Sequence, residues 1–435
     1  MTKTTRRFLF YGLFILFIPL SIAIILYSTG WRLNAEKCSD IQLLNCLGIR
    51  KTGAIYIETK PKGVKIEING EIFEDQSGLI QSGTLISNLP PKNYEVKIEK
   101  DDYLFYYKNI SVAPSMVSEL IDTILITEKI EKQEIINNKL RGDKIIDLSN
   151  DTRKIIIKNS KTNNYYLYNF SDQKSVLNIN AAFNNIKASE IAKISFHPFD
   201  SNRLIIEGEN GLYIFDTNRL KLEIITGKTI FWLTKNSSVY YLKETTDEKS
   251  PKTKNYSLNS FNLILRTESE ILKPQTKANN FAKFDISDSG DRFALIDSLD
   301  NLYIFSNNSK ELKQIAHNAK DFLFSPDNKK IAFFDQNGQL NIHFIEDWYK
   351  NSRRIAGDAS RFGYAEKSSE ISDIYWHNSS YHLIIGYENN IEFTEIDDRP
   401  PLNKYRIIEA DDFYYNPELS KIYFIQKEKL YSFEI

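Results

Sequence analysis

The sequence contains little cysteine, methionine or histidine, and neither sign of charge is in excess. Among 435 residues there are 2 Cys, 2 Met and 5 His, and 56 Lys and Arg are balanced by 57 Asp and Glu. Because the chain has no basic field to attract phosphate backbones, we predict no nucleic-acid partner. The two cysteines, Cys38 and Cys46, are too few to form a zinc site by themselves.

Motifs that carry known catalytic or nucleotide-binding chemistry are also absent. The sequence has no H-E-x-x-H, G-x-S-x-G or G-x-G-x-x-G pattern and no phosphate-binding P-loop. We therefore predict no catalytic residue, no cofactor-binding residue, no metal ligand and no cofactor. Whether the protein is an enzyme stays open at this point, and a non-enzymatic role is favoured.

Aromatic residues, by contrast, are abundant. The chain has 25 Tyr and 27 Phe, and aromatic side chains suit the pleated, half-buried surfaces of β-sheets. Hydrophobic residues make up 42% and charged residues 26%, an ordinary globular balance. A chain of this length is expected to hold two or three domains. The composition predicts a protein that is all-β apart from its N-terminus.

The N-terminus carries an apolar run that follows Lys3, Arg6 and Arg7. This run, Phe8–Tyr27, has 20 residues, which span about 30 Å as a helix. The basic flank predicts that the short N-terminus stays in the cytoplasm, and Trp31 lies where an interfacial aromatic residue belongs. The alternative is a cleaved signal peptide, but the run is longer than such a core and no A-x-A site follows. We predict a retained single-pass anchor over residues 1–31, with the bulk of the chain extracytoplasmic.

Residues 32–50 are predicted to be a linker, and they contain both cysteines, Cys38 and Cys46. In an oxidising compartment the two thiols could close a small loop, which would contribute about 2–3 kcal/mol of stability. The alternative is a pair of free thiols in a short linker. The candidate disulfide therefore depends on the compartment.

Residues 51–127 show the period of short strands with one buried face. Apolar residues alternate with polar ones in three runs, around Ile55, Ile66 and Val96. Asn69-Gly70 lies between alternating runs and is a hairpin signal. About six strands fit into this segment, enough for a small sandwich.

This segment resembles the PEGA domain. The stretch "PKGVKIEING" matches the first half of the family pattern, and "SNLPPKNYEVKIEKDDY" matches the second half. Lys62 and Val64 replace two motif residues, and Asn93 and Asp102 replace glycines, although Asn and Asp tolerate the left-handed conformation. The resemblance implies a small β-sandwich of the kind common in prokaryotic surface proteins. The family has no known catalytic residues, so the resemblance implies none in this chain.

The rest of the chain, residues 128–435, contains seven similar passages. Each has an apolar strand, a polar turn, a second apolar strand and then an aromatic-rich strand. The passages are 145–170, 192–217, 229–243, 282–307, 319–346, 371–396 and 410–435. Their first turn residues are Ser149, His197, Thr234, Ser287, Ser325, His377 and Asn416. From 149 to 416 is 267 residues over six intervals, a mean of 44.5, which is typical of propeller blades.

The passages resemble the "F-S-P-D-G-x-x-I-A-F" blades of WD40-like and TolB-type β-propellers, which implies a seven-bladed ring. No "G-H…W-D" pair occurs, so a particular WD40 subfamily is not supported. The last repeat supplies only three strands, and its fourth is expected from residues 122–140. Pairing this segment with "KLYSFEI" would join the first and last blades, because an unpaired edge would expose backbone donors and acceptors.

Several polar stretches suggest chemistry but are better explained by the repeat. Ser325-Pro326-Asp327-Asn328 is predicted to be a turn between two strands of one blade, and "DISDSGD" (285–291) another, because it lacks the spacing of a calcium loop. The paired carboxylates Asp397-Asp398 and Asp411-Asp412 are expected to be solvated. The histidines are assigned to the scaffold; they are His197, His317, His343, His377 and His382.

The sequence thus predicts a membrane-anchored extracytoplasmic protein of the cell envelope, with a PEGA-like sandwich followed by a propeller. A propeller face would bind a protein or a glycan. Two alternatives stay open. The ring could be a hydrolase or lyase that acts on an envelope polymer, with an active site assembled in its central channel. The protein could also be an accessory subunit of an envelope machine. Converging carboxylates with perturbed pKa values would favour the enzyme.

Overall fold

The computed structural model describes residues 3–35, 47–172, 176–187, 190–246, 254–272, 281–306, 312–365 and 370–435. Cys38 and Cys46 lie outside the described residues, so their disulfide stays a prediction. The chain divides into two compact units. Unit 1 comprises residues 1–128, 349–353 and 399–403, and unit 2 comprises 129–348, 354–398 and 404–435.

Helix α1, Lys3–Ser28, is the long apolar element of unit 1. Its stretch Thr4–Ser28 is long and apolar enough to cross a membrane, a property that a signal sequence would share. Large apolar side chains are exposed along its whole length, from Phe8 at 84% to Tyr27 at 65%. A helix that is apolar on all sides and not covered by protein suits a lipid environment.

The rest of unit 1 is built from strands, with alternating buried and exposed residues. One sheet has the order β6-β3-β9, and the other β5-β4-β7-β8. Two further strands, β1 and β2, pair as a hairpin after α1. The strands are β1 Trp31–Ala35, β2 Leu47–Lys51, β3 Gly53–Lys60, β4 Lys65–Ile68, β5 Glu71–Glu74, β6 Thr84–Leu89, β7 Asn93–Glu99, β8 Tyr106–Ser111 and β9 Val117–Ile124.

The apolar residues of the alternating runs form the core of this sandwich. Ile55, Ile66 and Val96 are almost fully buried and pack in one cluster. Asn69 and Gly70 both have positive φ, 50° and 86°, at the turn from β4 to β5. This is the backbone geometry that the hairpin signal predicts.

Two later segments of the chain complete the edges of unit 1. Asn403 accepts a hydrogen bond from the Tyr107 amide at 3.1 Å and donates one to the Tyr107 carbonyl at 2.7 Å. Asn351 forms the same pair of bonds with the backbone of Ile121 in β9. Each asparagine thus occupies hydrogen-bonding groups on an edge strand, where open groups would invite aggregation. Lys108 of β8 is fully buried, and its ammonium donates to two backbone carbonyls, of Arg399 and Pro401.

In the described residues, unit 2 contains seven four-stranded antiparallel sheets, each built from consecutive strands except at the closure. The first sheet consists of β11 Lys144–Leu148, β12 Lys154–Asn159, β13 Asn164–Asn169 and β14 Val176–Asn178. The second consists of β15 Ile191–His197, β16 Asp200–Gly208, β17 Gly211–Asp216 and β18 Lys221–Thr226. The third consists of β19 Phe231–Lys235, β20 Ser238–Thr246, β21 Lys254–Asn262 and β22 Thr267–Leu272. The fourth consists of β23 Phe281–Ile286, β24 Arg292–Asp297, β25 Leu302–Ser306 and β26 Leu312–Ala316. The fifth consists of β27 Ala319–Phe324, β28 Lys330–Asp335, β29 Gln339–Phe344 and β30 Ala359–Gly363. The sixth consists of β31 Ile371–Trp376, β32 His382–Tyr387, β33 Asn390–Glu395 and β34 Lys404–Glu409. The seventh consists, in spatial order, of β10 Gln133–Ile136, β37 Lys429–Glu434, β36 Lys421–Gln426 and β35 Asp412–Asn416.

The strands that begin these sheets lie side by side around a common axis. β11 contacts both β15 and β35, and the remaining inner strands, β19, β23, β27 and β31, contact their neighbours in the same order. Between β15 and β19 the Lys193 ammonium donates to the Trp232 carbonyl, and Ser195 lies 3.3 Å from Thr234. The arrangement agrees with a β-propeller. The prediction of an all-β chain after one N-terminal helix is confirmed.

The seventh sheet takes its outer strand from the start of unit 2. β10 pairs antiparallel with β37, with Gln133 opposite Ser432 and Ile136 opposite Leu430. Ile136 and Leu430 are fully buried in one cluster with Ile145 of the first sheet. The predicted pairing of residues 122–140 with "KLYSFEI" is therefore confirmed.

The turns of the repeat also follow the prediction. Ser325 opens the β27–β28 turn, where its amide donates to the Lys330 carbonyl and Asn328 has a φ of 58°. "DISDSGD" forms the β23–β24 turn, with Gly290 at a φ of 73°. Two features were not predicted. Helix α2, Ile179–Lys187, follows β14 and buries Phe183 in the core between the first two sheets. The paired strands β1 and β2 lie mostly within residues 32–50, which were predicted to be a linker.

Candidate functional site

The inner strands place two rows of side chains toward the axis of the ring. Counting back from the first turn residue of each repeat, positions −2 and −4 share a strand face where side chains alternate. A bulge between Ile145 and Asp147 breaks this alternation in β11, and Ile145 and Trp232 lie in the core between sheets. The −2 residues are Asp147, Ser195, Trp232, Asp285, Leu323, Tyr375 and Tyr414. The −4 residues are Ile145, Lys193, Ile230, Lys283, Asp321, Asp373 and Asp412. Charged and hydroxyl groups therefore converge from different sheets, as the enzyme alternative required.

Asp147 is the most completely hydrogen-bonded of these groups. One carboxylate oxygen accepts from the Ser195 hydroxyl at 2.6 Å and from the Phe196 amide at 2.7 Å. The other accepts from the Leu148 amide at 2.9 Å and from the Tyr414 hydroxyl at 3.4 Å. Four donors occupy the roughly four acceptor positions of a carboxylate. Burial still raises the pKa of Asp147, against the lowering effect of these donors.

Other inner-strand carboxylates also receive backbone amides from a neighbouring sheet. Asp412 of β35 accepts from the Ile145 amide of β11 at 2.6 Å. Asp285 of β23 accepts from its own following residue at 2.8 Å and from the amide of Phe324 in β27. Inner edge strands have unpaired amides, and these carboxylates satisfy several of them. The acidic row is thus, in large part, a structural link between sheets.

Burial shifts the ionisation of this row strongly. It raises the pKa of Asp412 to about 7, and the nearby Asp373 adds to the rise while Lys144 opposes it. Burial likewise raises the pKa of Asp373, and the pKa of Tyr375 well above its usual range. Asp412 is therefore a group that can hold or release a proton near neutral pH.

The expectation that both aspartate pairs are solvated is wrong. Asp411 is exposed, but Asp412 points the opposite way from its strand, into the ring. Asp397 is buried, and Asp398 pairs with Arg354 and accepts from the Ser360 hydroxyl at 2.9 Å. Adjacent residues on a strand face opposite sides, so two neighbouring carboxylates need not share an environment.

A cavity of about 480 Å³ opens beside the carboxylate row, between the first three inner strands. Its wall includes Asp147 and Thr234 and, in addition, three lysines, a serine and two aromatic residues. The lysines, the serine and the aromatic residues are Lys144, Lys158, Lys193, Ser195, Tyr165 and Trp232. We call this cavity the lysine pocket. Sequence reasoning missed it because its residues come from five strands of three sheets.

The histidines have the contacts of scaffold residues. His197 is buried and its Nδ1 accepts from the Phe199 amide at 3.2 Å; burial lowers its pKa. His382 stacks on Phe393 at 4.7 Å, and His377 lies 6.1 Å from His382, ring to ring.

His343 lies in β29 with its pKa lowered by burial, and the exposed His317 bonds to Asn301 at 2.7 Å. Within the described ranges of the chain, no group of three or more His, Cys, Asp or Glu could hold a metal ion. In the "DISDSGD" turn, the Asp291 carboxylate is engaged by hydroxyls of Ser287 and Ser289, which lower its pKa.

The fold and the channel define the class of protein: a β-propeller-like ring that follows a small sandwich and an apolar helix. The PEGA domain family matches residues 52–124, which confirms the resemblance over this segment. No curated protein matches the chain.

Two solved structures are similar in fold. One is a chain of the crystal structure of a Mitotic Checkpoint Complex, with 14% identity, 71% of this chain and 95% of that chain covered, and a TM-score of 0.46. The other is an oligogalacturonate lyase in complex with manganese, with 10% identity, coverages of 70% and 93%, and a TM-score of 0.46. Such low identities transfer no function to this chain.

Proposed function

We propose that this protein is a membrane-anchored binding protein of the cell envelope. Helix α1 anchors it as a single pass with the N-terminus in the cytoplasm, the PEGA segment follows outside the membrane, and the ring carries the binding site. The support for the anchor is the exposure of apolar side chains along α1. Lys3, Arg6 and Arg7 at its start favour this orientation.

The observation that favours binding over catalysis is the hydrogen bonding of Asp147. Its two oxygens receive four donors from within the protein, and two of these are backbone amides. A general base needs an acceptor position directed at the substrate. All acceptor positions of Asp147 are occupied. Asp412 and Asp285 likewise accept hydrogen bonds from backbone amides of neighbouring strands. The carboxylates of the inner strands are therefore explained by hydrogen bonds that hold neighbouring sheets together, without a catalytic role.

Protease treatment of intact cells and of spheroplasts tests the topology. The proposal expects removal of everything after residue 31, detected as loss of peptides that contain Tyr94 and Trp376. A tag placed before Lys3 should remain protected until the membrane is lysed. Protection of the Tyr94 and Trp376 peptides, or release of the whole chain from the membrane at high salt, contradicts the proposal.

A hydrolase or lyase is the second candidate, and one observation favours it. Asp412 has a pKa of about 7, the range in which a general acid or base works best at neutral pH. The test is incubation of the purified protein with isolated envelope polysaccharide, followed by assay for new reducing ends. Turnover that Asp412→Asn abolishes and Asp411→Asn retains would establish the enzyme. If the wild type shows no turnover, the enzyme is rejected and the binding protein is retained.

A further inference from the structure

The lysine pocket brings together three lysines, and the ammonium of Lys158 lies 5.3 Å from the centre of the Tyr165 ring. Lys144 of β11 and Lys158 of β12 are directly opposite each other in the antiparallel pair. Like charges in such positions destabilise a sheet. In the described part of the chain, neither side chain forms an ion pair within 4.0 Å. Asp412 and Asp373 attract Lys144 from a longer distance.

Lys193 adds a third cation from the second sheet. Its ammonium donates to the Trp232 carbonyl at 2.6 Å and lies 4.9 Å from the centre of the Trp232 ring. An ammonium has three donors, so two remain for other partners. Burial lowers the pKa of Lys193, because the charged form loses water, while the carboxylates of Glu207, Asp285 and Asp147 oppose this shift.

Within the described residues, Asp147 forms no ion pair with these lysines, although its charge attracts Lys193 over a longer distance. Asp147 lines the same cavity, but its acceptor positions are filled by Ser195, Phe196, Leu148 and Tyr414. The Ser195 hydroxyl donates its only proton to Asp147, so it can offer a ligand only a hydrogen-bond acceptor. The unused donors of the pocket are lysine ammonium groups, and unused donors on a cavity wall favour an anionic ligand.

We propose that the lysine pocket binds the anionic group, carboxylate or phosphate, of a sugar-sized ligand. Lys144 and Lys158 are its principal contacts, and Lys193 supports them from the opposite wall. A volume of about 480 Å³ lies within the ordinary range of small-molecule sites, about 300–1,000 Å³. The inference deepens the proposed function, on which it rests, by naming the ligand class: an acidic or phosphorylated glycan unit.

The test is titration calorimetry on the full-length protein in detergent micelles at low ionic strength. Three probes are compared: glucuronate, glucose 6-phosphate and glucose. Binding of either anion, with no binding of glucose, is expected. Binding of glucuronate alone indicates an acidic glycan, and binding of glucose 6-phosphate alone a phosphorylated one. If neither anion binds, or if glucose binds equally well, the proposal is overturned.

Variants locate the binding in the pocket. Lys144→Gln together with Lys158→Gln should weaken anion binding about tenfold or more, because charge-assisted hydrogen bonds are lost. Lys161→Gln, an exposed lysine in the next turn of the same sheet, is the matched control and should bind as the wild type does. If the double variant is too unstable to be measured, binding is measured instead for Lys158→Gln alone and for the wild type at increasing salt concentration. Unchanged binding in the lysine variants would place the ligand elsewhere. The protease experiment on topology is independent of both outcomes.

Discussion

Lys330 occupies a position in the fifth sheet where a charge is fully buried. Its ammonium lies 2.6 Å from the Asp327 carboxylate and 3.5 Å from the centre of the Trp348 ring. Burial of a charge is tolerated where an ion pair and a cation–π contact replace water. In this turn, the serine, aspartate and lysine that resemble catalytic residues instead hold a hairpin together.

We expect Lys330→Met to lower the free energy of unfolding by about 2–3 kcal/mol, since it removes the ion pair with Asp327 and the cation–π contact with Trp348. Urea denaturation followed by tryptophan fluorescence measures the change. Lys329→Met is the matched control, because Lys329 is 45% exposed and lies 3.9 Å from Glu346. The control should change stability by less than about 0.5 kcal/mol. Equal effects of the two substitutions would mean that the buried contacts contribute nothing.

Asp412 makes stability depend on pH in a direction opposite to that of an ordinary salt-bridged carboxylate. Its folded pKa is about 7, whereas a carboxyl in an unfolded chain titrates near 4. Between these values the folded state binds more protons, so stability falls as pH rises through this interval. The cost is absent below about pH 4 and complete above about pH 7.

Asp412→Asn should therefore be more stable than the wild type at pH 8, by about 1–4 kcal/mol, and nearly equal to it at pH 4. The amide oxygen can still accept from the Ile145 amide. Denaturant titrations at both pH values measure the difference. Asp411→Asn, on the exposed neighbour, should show no such divergence. A variant less stable than the wild type at pH 8 would show that the charged form of Asp412 is needed.

At the scale of single elements, β10 decides whether the ring is closed. It covers the free edge of β37, and Ile136 and Leu430 connect the seventh sheet to the first through Ile145. The seventh sheet combines strands from the start and the end of unit 2, so its separation would also expose the core that it shares with the first sheet. The closure therefore couples the stability of the last sheet to that of the whole ring.

Ile136→Pro, or removal of the last six residues, should lower the thermal midpoint of unit 2 by about 5 °C or more in a single transition. Proline removes an amide and a buried side chain, and truncation removes β37. Differential scanning calorimetry measures the midpoint. Glu131→Pro, just before β10, is the control and should leave it within about 2 °C. A small shift in Ile136→Pro, or a separate transition for one sheet, would show that closure does not stabilise the ring.

The strands and the closure of the ring by β10 could be predicted because the signals for them lie in short stretches of sequence. Alternation of apolar residues, turn residues such as Ser325 and Asn328, and an unpaired last strand all lie in short stretches of sequence. Helix α2 was missed because it interrupts the repeat after β14. The lysine pocket was missed because Lys158, Lys193 and Trp232 meet only when three sheets are arranged in a ring. The burial of Asp412 was missed for the same reason.

At the scale of the whole molecule, unit 1 depends on residues far along the chain. Its edge strands β8 and β9 are completed by Asn403 and Asn351, and Lys108 has its carbonyl partners at Arg399 and Pro401. The proposed domain over residues 51–127 therefore lacks some of its native contacts when it is cut out.

We expect a fragment of residues 51–127 to fold cooperatively, and Lys108→Met to change its stability by less than about 0.5 kcal/mol, because the ammonium then lies in water. In the full chain the same substitution removes the lysine donor from two backbone carbonyls, and amides of β8 should exchange about tenfold faster or more. Circular dichroism and hydrogen exchange measure the two effects. Lys92→Met, on an exposed lysine, is the control. A disordered fragment would contradict the domain boundary, and unchanged exchange would contradict the role of Lys108.

The late completion of both units has a consequence for the order of events during synthesis. The sandwich strands are made before Asn351 and Asn403, which follow them by more than 200 residues, and β10 is made before its partner β37. Neither unit reaches its final hydrogen bonding until almost the whole chain has emerged. A nascent chain therefore carries open strand edges for most of its translation, and products of premature termination keep them permanently. Proteases of quality control that recognise such edges would separate finished molecules from unfinished ones without any further signal.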